Sequence, residues 1–481
     1  MMYRTLLALA VMGMGMLSDS VAAGEAALKG QAAESLRRAT EFFRSKIATE
    51  GGYLWRYSED LTLREGEGDA TDTTIWVQPP GTPSVGMVYL TAYEATGDSY
   101  YLDAARDVAY ALVKGQLRSG GWDYRVEFEP KQRRRYAYRV EPAADGARNV
   151  STLDDDNTQS AVRLLMQVDK ALNFKDQRIH EAAQFALSSL LAVQYPNGAW
   201  PQRFSDPPDP AQFPVKKAGY PDSWSWTFPN QDYRNHYTFN DNSMADTIDT
   251  MLEAFEVYGD ARYRAAAEKA GDFMLLAQMP EPQPAWAQQY DADMHPAWAR
   301  KFEPPAVTGG ESQGVMRTLL VLYRATGNKK YLEPLPRAME YLRRSRLPDG
   351  RLARFYELKT NKPLYFTKDD YQLTYSDANM PTHYSFKSSF GIESIEREYK
   401  QLVAMDPAKL RQPEKPSPPR LSGDLEARAK EAIDSLDAQG RWVEKGRMQF
   451  AGKDKSARRI ISTRTFISNV RTLSAYLAAT R

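Results

Sequence analysis

Apolar residues recur at helical spacing in several separate segments of the chain, and each segment ends at a similar short turn. The clearest copy of this turn is Ala95–Tyr101, with an apolar-periodic segment on either side. The turn recurs at Val257–Tyr263, at Ala325–Tyr331 and, more loosely, at Ala171–Asp176. The glycine or asparagine in each copy suits the first position after a helix, where φ is positive. The pattern predicts pairs of helices joined by tight turns.

Each second helix of these pairs is followed by a turn that carries a tryptophan or a leucine. These turns are Gly120–Trp122, Gly198–Trp200, Pro284–Trp286 and Gly350–Leu352. From the glycine or asparagine of the turn between the two helices to this tryptophan or leucine, the distance along the chain is 25, 27, 27 and 25 residues. Partial copies lie near the two ends, at Gly51–Trp55 and Gln439–Trp442. Such a repeat closes into an α/α toroid or stacks as a solenoid. Because the turns are regular and the end copies are partial, we predict an all-α, α/α toroid with long loops and short strands at the cleft end.

Two of the predicted helices begin at acidic clusters. Asn240-Asp241-Asn242 opens one helix, and Asp156-Asn157 opens another. Asp and Asn are common N-caps, because their side-chain oxygens accept orphan backbone N–H groups, and one such cluster alone is explained by capping. Two matched copies favour a site, since the first helices of all repeats start at the same end of the fold. We therefore expect Asp156 and Asp241 to face one cleft.

The composition excludes several kinds of site. The chain has no cysteine, which rules out disulfides, thiolate ligands and a cysteine nucleophile, and its four histidines form no zinc-binding pair. The formal net charge is +1, so no overall field attracts nucleic acid, and an anionic ligand needs a local basic cleft. Met1–Ala23 has the charged start, apolar stretch and small-residue cleavage site of a secretory leader. We expect a secreted or periplasmic monomer that does not contact a membrane once the leader is removed.

The residues around both acidic clusters resemble pectate lyases of polysaccharide lyase family 10. The segments that carry this resemblance are Asp155–Thr158, Gln194–Gln202, Tyr237–Met244, Trp286–Asp291, Pro296–Glu303 and Arg354–Leu358. The resemblance extends from about Thr152 to Lys387. It implies an enzyme that degrades polygalacturonate by β-elimination with the help of Ca²⁺.

The resemblance also implies roles for individual residues. Asp156 and Asp241 match the calcium-binding acids of the family, Arg300 matches the arginine proposed as its base, and Arg354 matches an arginine that grips the substrate. An arginine is almost always protonated in proteins, so a second role for Arg300 is to stabilise charge while Lys301 or a tyrosine takes the proton. A structural alternative is an ion pair between Arg300 and Glu303.

Two features depart from the family pattern. Lys368-Asp369 stands where the family has an Arg-Asp pair, and a lysine cannot form the two parallel bonds of a guanidinium with a carboxylate. The proline-rich segment Ser205–Asn235 is longer than the family requires, and its two tryptophans favour an ordered wall or lid. We expect Lys301, Lys368 and Arg354 to bind substrate, and Trp200 to provide a platform for a sugar ring.

We predict a leader at 1–23 followed by one toroidal domain at 24–481. Within it, 24–150 holds N-terminal helical repeats, 151–405 the core that resembles the lyases, 406–420 a linker and 421–481 the last helices. Two other functions fit the same sequence. One is an inverting glycoside hydrolase that pairs Asp156 with Asp241, Glu303 or Glu311. The other is a polysaccharide-binding protein without activity.

Overall fold

The computed structural model describes residues 24, 26–389, 391–410, 419–453 and 456–481. The predicted leader at 1–23 and most of the predicted linker, 411–418, lie outside the described residues. Within the described ranges, no helix combines the length and the apolar character that a membrane span needs.

The helices form two rows. Neighbouring helices of the inner row pack side by side in the order α14, α2, α5, α7, α9 and α11. These helices are α2 (Thr82–Thr96), α5 (Asn157–Ala171), α7 (Ser243–Tyr258), α9 (Glu311–Thr326), α11 (Ile392–Ala404) and α14 (Thr463–Ala479). The last helix of the chain, α14, therefore lies beside α2, and Lys29 of the first described helix donates to the backbone carbonyl of Thr480, just after α14. This arrangement is an α/α toroid, as the repeat predicts.

The outer row packs against the inner one. It consists of α1 (26–42), α3 (Ser99–Gly115), α6 (Gln177–Ala192), α8 (Ala261–Leu276), α10 (Leu335–Arg344) and α13 (Gly423–Asp434). Two single-turn helices, α4 (Pro130–Arg133) and α12 (Pro407–Leu410), lie in connections. A π-helix, Phe43–Ile47, continues α1, and Phe43 stacks on Phe466 of α14 with 3.6 Å between the ring centroids.

The tryptophan turns share one hydrogen bond in the structure. Trp122, Trp200 and Trp442 each donate an indole N–H to the backbone carbonyl ten residues earlier, at 2.8 to 2.9 Å. Trp286 makes the same bond to Met274. Each ring is almost fully buried beneath its outer helix, so these bonds also satisfy carbonyls at the helix ends. The positive φ values of Gly97, Asn173, Gly259 and Gly327 confirm the predicted turns between the two helices of each pair.

Short antiparallel strands join the helix pairs at one end of the fold. A strand that precedes an inner helix pairs with a strand that follows the corresponding outer helix, as in β3–β4, β5–β6, β7–β8 and β9–β11. The strands are β1 (Arg56–Ser58), β2 (Arg64–Glu65), β3 (Thr74–Trp76), β4 (Arg125–Glu127), β5 (Ser151–Thr152), β6 (Arg203–Phe204), β7 (Tyr237–Thr238), β8 (Gln289–Tyr290), β9 (Ala306–Thr308), β10 (Leu352–Ala353), β11 (Phe355–Glu357), β12 (Pro363–Phe366), β13 (Leu373–Thr374), β14 (Lys387–Ser388), β15 (Val443–Gly446) and β16 (Arg458–Ser462).

The larger sheets run in the order β15-β16-β1-β2 and β13-β12-β11-β9, and β10 pairs with β14. Because each of these strands leads into or away from a helix at the same end, the entrances of the inner helices gather there. The acidic entrances of α5 and α7 are neighbours in this ring.

Candidate active site

The entrances of α5 and α7 have the same unusual backbone. Each is a single 3₁₀ turn, Asp154–Asp156 or Asn240–Asn242, that ends in two consecutive residues with positive φ. Asp155 and Asp156 have φ values of 50° and 57°, and Asp241 and Asn242 have 48° and 56°. Left-handed backbone is unfavourable for residues with a side chain and is concentrated at functional sites. The two turns are therefore copies of one motif, and they pack against each other.

This motif pairs Asp155, not Asp156, with Asp241. Both N-cap residues, Asp156 and Asn242, make no side-chain capping bond, so capping does not explain the acidic residues. Asp154, Asp155 and Asp241 each offer a carboxylate oxygen to one group, in which these oxygens all lie within 4.8 Å of one another. The structure thus groups Asp241 with Asp154 and Asp155, which directly precede the predicted residue Asp156. We call these three carboxylates the acidic centre.

Asp156 turns away from this centre. Nη2 of Arg163, seven residues further along the chain in α5, donates to both carboxylate oxygens of Asp156 at 2.5 and 2.6 Å. Burial raises the pKa of Asp156, while Arg163 lowers it. The sequence predicts that Asp156 shares a site with Asp241. In the structure the carboxylate of Asp156 is bonded to Arg163, and the acidic residues grouped with Asp241 are its neighbours Asp154 and Asp155.

Polar side chains from earlier repeats hold the acidic centre in place. Tyr124 and Gln202 donate to the two carboxylate oxygens of Asp154, each at 2.8 Å. Gln78, in the connection before α2, donates to Asp155 at 2.9 Å. Sequence reasoning assigned no role to these three residues. Gln78 and Tyr124 belong to no motif, Gln202 is the last residue of a segment that carries the family resemblance, and the ring of helix entrances brings all three to the carboxylates.

The carboxylates of the centre raise one another's pKa. Burial, and then repulsion by Asp154 and Asp241, raises the pKa of Asp155 to about 7. Partial burial and repulsion by Asp154 raise the pKa of Asp241 to about 6. Because Asp241 is exposed at the mouth of the cleft, repulsion by the neighbouring carboxylate explains its raised pKa better than burial does. Such a group of carboxylates is stabilised by a cation.

The donor set suits a hard divalent cation. Ca²⁺ prefers oxygen ligands, especially carboxylates and amide carbonyls, and accepts irregular geometry. Asn240 donates through its amide nitrogen to Asp241, while its buried Oδ1 has no hydrogen-bond partner among the described residues. An orphaned amide oxygen beside three carboxylates is a further ligand available to such an ion. The residues present therefore fit calcium.

Arg300 lies beside this centre and is paired with Glu303. Its Nη2 donates to Oε1 of Glu303 at 2.6 Å, and its backbone N–H donates to Oε2 at 3.0 Å. Glu303 is only 2 % exposed, whereas Arg300 is 38 % exposed and can reach a ligand. Burial opposes the charge on Arg300, but the ion pair outweighs it and the pKa of Arg300 is raised. Likewise, Arg300 lowers the pKa of Glu303 although burial alone would raise it.

Arg354 lies on the other side of the acidic centre. Its Nη2 donates to Glu311, the first residue of α9, and its guanidinium lies over the ring of Tyr384 at 4.1 Å from the centroid. Two cavities flank the centre. One of about 220 Å³ is lined by Asp154, Arg300 and Glu303, among others. One of about 240 Å³ is lined by Asp241, Glu311 and Arg354, among others. Both predicted arginines therefore face the cleft.

The other predicted binding residues, Lys301, Lys368 and Trp200, do not line the two cavities. Nζ of Lys301 lies over the ring of Tyr371 at 3.9 Å, and Lys368 is exposed in the loop after β12. Trp200 is 2 % exposed and its indole is used in the repeat turn, so it offers no face to a sugar. The platform predicted for Trp200 therefore has no accessible ring face in this structure, because the ring that closes the repeat is buried.

The long segment 205–235 forms a wall of the cleft. Ser225 accepts a bond from the indole of Trp298 at 2.9 Å, and Trp226 meets Tyr375 edge-on with 5.1 Å between ring centroids. The end of the segment contributes Tyr233 and Arg234 to the cavity that Arg300 lines. The segment is ordered against the residues just before Arg300, as its tryptophans predict.

Comparison with protein families gives one match. Residues 134–322, which span both acidic entrances, Arg300 and Glu311, match the family described as pectic acid lyase. The match confirms the resemblance on which the sequence analysis relies. No curated protein matches the chain significantly.

Several solved structures are similar to this chain at low sequence identity. A mutant of the family 10 polysaccharide lyase from Cellvibrio cellulosa, in complex with trigalacturonic acid, is 21% identical, with 66% of this chain and 98% of that chain covered and a TM-score of 0.45. The GH76 α-mannanase from Bacteroides thetaiotaomicron is 12% identical, with 94% of each chain covered and a TM-score of 0.40. A D-mannose isomerase is 13% identical, with 68% and 72% covered and a TM-score of 0.39. At these scores we draw no functional conclusion from them.

Proposed function

We propose that this chain, whose residues 134–322 match the pectic acid lyase family, cleaves polygalacturonate by calcium-assisted β-elimination and leaves unsaturated uronate ends. The observation that carries the proposal is the juxtaposition of three carboxylates with two cleft-facing arginines. A uronate is an anion whose C5 proton is acidic only when its carboxylate is neutralised. A site that removes this proton therefore needs cations around the sugar.

Asp154, Asp155 and Asp241, with the amide oxygen of Asn240, would hold the calcium ion. When bound, it supplies positive charge that neutralises the substrate carboxylate and acidifies the neighbouring C–H. Asp155 replaces Asp156 in this proposal, because the carboxylate of Asp156 is engaged by Arg163. The bonds from Tyr124, Gln202 and Gln78 would keep the carboxylates in position while the ion exchanges with solvent.

Arg300 would act at the reacting sugar. Its ion pair with Glu303 favours the guanidinium form, which supports charge stabilisation over proton acceptance by this residue. The C5 proton would then pass to the phenolate of a tyrosine, and Tyr233 lines the same cavity, while the C4–C5 double bond forms and the bond from C4 to the glycosidic oxygen breaks. Arg354 would bind a second uronate carboxylate from the opposite cavity, exchanging part of its contact with Glu311 for the substrate. An export leader is consistent with a polymeric substrate outside the cell, and secretion remains a prediction from the first 23 residues.

An inverting hydrolase is the less favoured function. Such enzymes hold their two carboxyl groups about 6.5–9.5 Å apart, to leave room for a water molecule. The oxygens of Asp154, Asp155 and Asp241 lie within 4.8 Å of one another, and Glu303 and Glu311 are each neutralised by an arginine. This spacing suits a shared cation better than a water between an acid and a base.

The decisive test is incubation of polygalacturonate with the purified protein, with calcium and with a chelator. We expect ultraviolet absorbance from unsaturated uronate ends only when calcium is present. New reducing ends without this absorbance would identify a hydrolase. Binding without any cleavage would identify a polysaccharide-binding protein.

Calcium affinity is expected to depend on pH. Because the pKa values of Asp155 and Asp241 are raised to about 7 and about 6, both carboxyls hold protons in mildly acidic solution, and calcium must displace them. Affinity measured by calorimetry should therefore rise between about pH 5.5 and about pH 8, with proton release at the lower pH. In Asp241→Asn the rise should be weaker. An affinity that is constant over this range would contradict calcium binding at these carboxylates.

Lys368→Arg is expected to have a modest effect on substrate affinity. A guanidinium can grip a uronate carboxylate with two bonds, but Lys368 is exposed and lines neither cavity, so solvent screens its charge. We expect KM for polygalacturonate to fall by at most about fivefold, with kcat unchanged, since exposed pairs contribute about 1 kcal/mol or less. If the variant raises KM, Lys368 is matched to another uronate polymer.

A further inference from the structure

Tyr384 stands between the two arginines of the cleft. Its hydroxyl donates to Oε1 of Glu303 at 3.0 Å, the same oxygen that accepts the bond from Arg300. Its ring supports the guanidinium of Arg354 at 4.1 Å from the centroid. Tyr384 lies outside the segment that matches the pectic acid lyase family, in the loop before β14. One side chain thus contacts the partner of one arginine and the face of the other.

The negative charge of Glu303 is stabilised by hydrogen-bond donors such as the hydroxyl of Tyr384. It is a buried carboxylate, and a charge in that setting is stable only when its oxygens are well supplied with hydrogen bonds. Besides Arg300, its donors are Gln288, at 2.5 Å, and Tyr384. Burial raises the pKa of Tyr384, so its phenol stays protonated and continues to donate. Removing this donor would leave Glu303 less able to keep its charge and to orient Arg300.

We propose that Tyr384 is a positioning residue that sets the orientation of Arg300 through Glu303 and supports Arg354 with its ring. The hydroxyl acts on the reacting side of the cleft through Glu303. The ring centroid lies closer to the guanidinium of Arg354, at 4.1 Å, than to that of Arg300, at 5.8 Å, so the ring acts mainly on the side where a second carboxylate binds. This inference rests on the proposed function for its kinetic consequences, but the coupling of Tyr384 to Glu303 can be measured without activity.

Two variants distinguish the effect of the Tyr384 hydroxyl from the effect of its ring. Tyr384→Phe removes only the hydroxyl, and we expect kcat on polygalacturonate to fall about tenfold, in line with loss of a bond to a charged group, with little change in KM. The acid limb of the pH profile should move to higher pH, because Glu303 loses a donor to its charged form. Tyr384→Leu removes the ring as well, and we expect KM to rise in addition.

Tyr375→Phe is the matched control. Tyr375 lies in the same loop and its hydroxyl also donates to a buried glutamate, Glu357, at 2.9 Å, but neither residue lines the cavities. This variant should keep the wild-type kcat, KM and pH profile. If it lowers kcat as much as Tyr384→Phe does, the loop acts as a whole and the role of Tyr384 is overturned.

A double-mutant cycle completes the test. The stability of wild type, Tyr384→Phe, Glu303→Gln and the double variant is measured by urea unfolding, and kcat is measured in parallel. We expect the effect of Tyr384→Phe on both quantities to be several-fold smaller when Glu303 is already replaced. Additive effects on stability would overturn the inference. If wild type has no lyase activity but the stability cycle shows coupling, the proposed function fails and the contact of Tyr384 with Glu303 stands.

Discussion

Asp155→Asn is expected to abolish calcium-dependent cleavage of polygalacturonate. The substitution keeps the shape of the turn, because Asn tolerates a positive φ as Asp does, but it removes one of the three charges that would hold the ion. A bound metal contributes several kcal/mol of charge stabilisation, so we expect kcat to fall by about three orders of magnitude. Calcium affinity, measured by calorimetry, should fall with it.

Asp156→Asn is the matched control for this prediction, since it changes the next residue of the same turn. The loss of the ion pair with Arg163 should lower stability by about 1 kcal/mol or less at this partly exposed position, and kcat should stay within about threefold of wild type. Calcium should still raise the melting temperature of this variant, but not that of Asp155→Asn. The opposite result would show that Asp156, as the sequence predicts, is the ligand.

Arg300→Ala is expected to remove turnover while substrate binding survives. Arg300 is a partly exposed cation at the wall of the cavity beside the acidic centre, where charge develops when the C5 proton leaves. The loss of one such stabilising group costs on the order of 100- to 1000-fold in kcat. Binding of trigalacturonate, measured by calorimetry, should stay within about threefold, because Arg354 and the calcium site remain.

Lys301→Ala and the pH profile of the wild type define the role of Arg300. Lys301 lies over Tyr371 and outside the cavity, so Lys301→Ala should keep most of the activity. With Arg300 as a fixed cation, kcat/KM should reach a plateau at alkaline pH. A continued rise up to the limit of protein stability would indicate that Arg300 loses its proton and acts as the base. An Arg300→Ala variant that keeps its kcat would exclude both roles.

The repeat and the fold class were determined by the sequence itself. The turn glycines, the interval to each tryptophan and the apolar periodicity are local features, and each has the same physical reason wherever it occurs, although the turn at Gly350–Leu352 carries a leucine in place of the tryptophan. A glycine or asparagine supplies positive φ at the helix end, and a tryptophan closes the pair by bonding to a carbonyl of the outer helix. Local patterns that agree in every repeat leave few alternatives, and the toroid follows from them.

The sequence also predicts where the candidate site lies, but it does not identify all of the residues that form it. Matched acidic clusters predict a cleft at the helix entrances, and Asp241, Arg300 and Arg354 are found there. The pattern could not separate Asp155 from Asp156, because two neighbouring residues in one turn differ only in the direction of their side chains. Both residues have a positive φ in the folded protein, which the residue pattern does not reveal.

Only the tertiary structure decided which distant residues support the site. Gln78, Tyr124 and Tyr384 come from three different connections, and none has a motif or a fixed distance from the acidic residues. The same limit explains Trp200, whose position along the chain suggests a sugar platform but whose ring is buried in the folded protein. Burial and long-range hydrogen bonds depend on which residues the closed ring of helices brings together, and no local pattern of residues specifies those contacts.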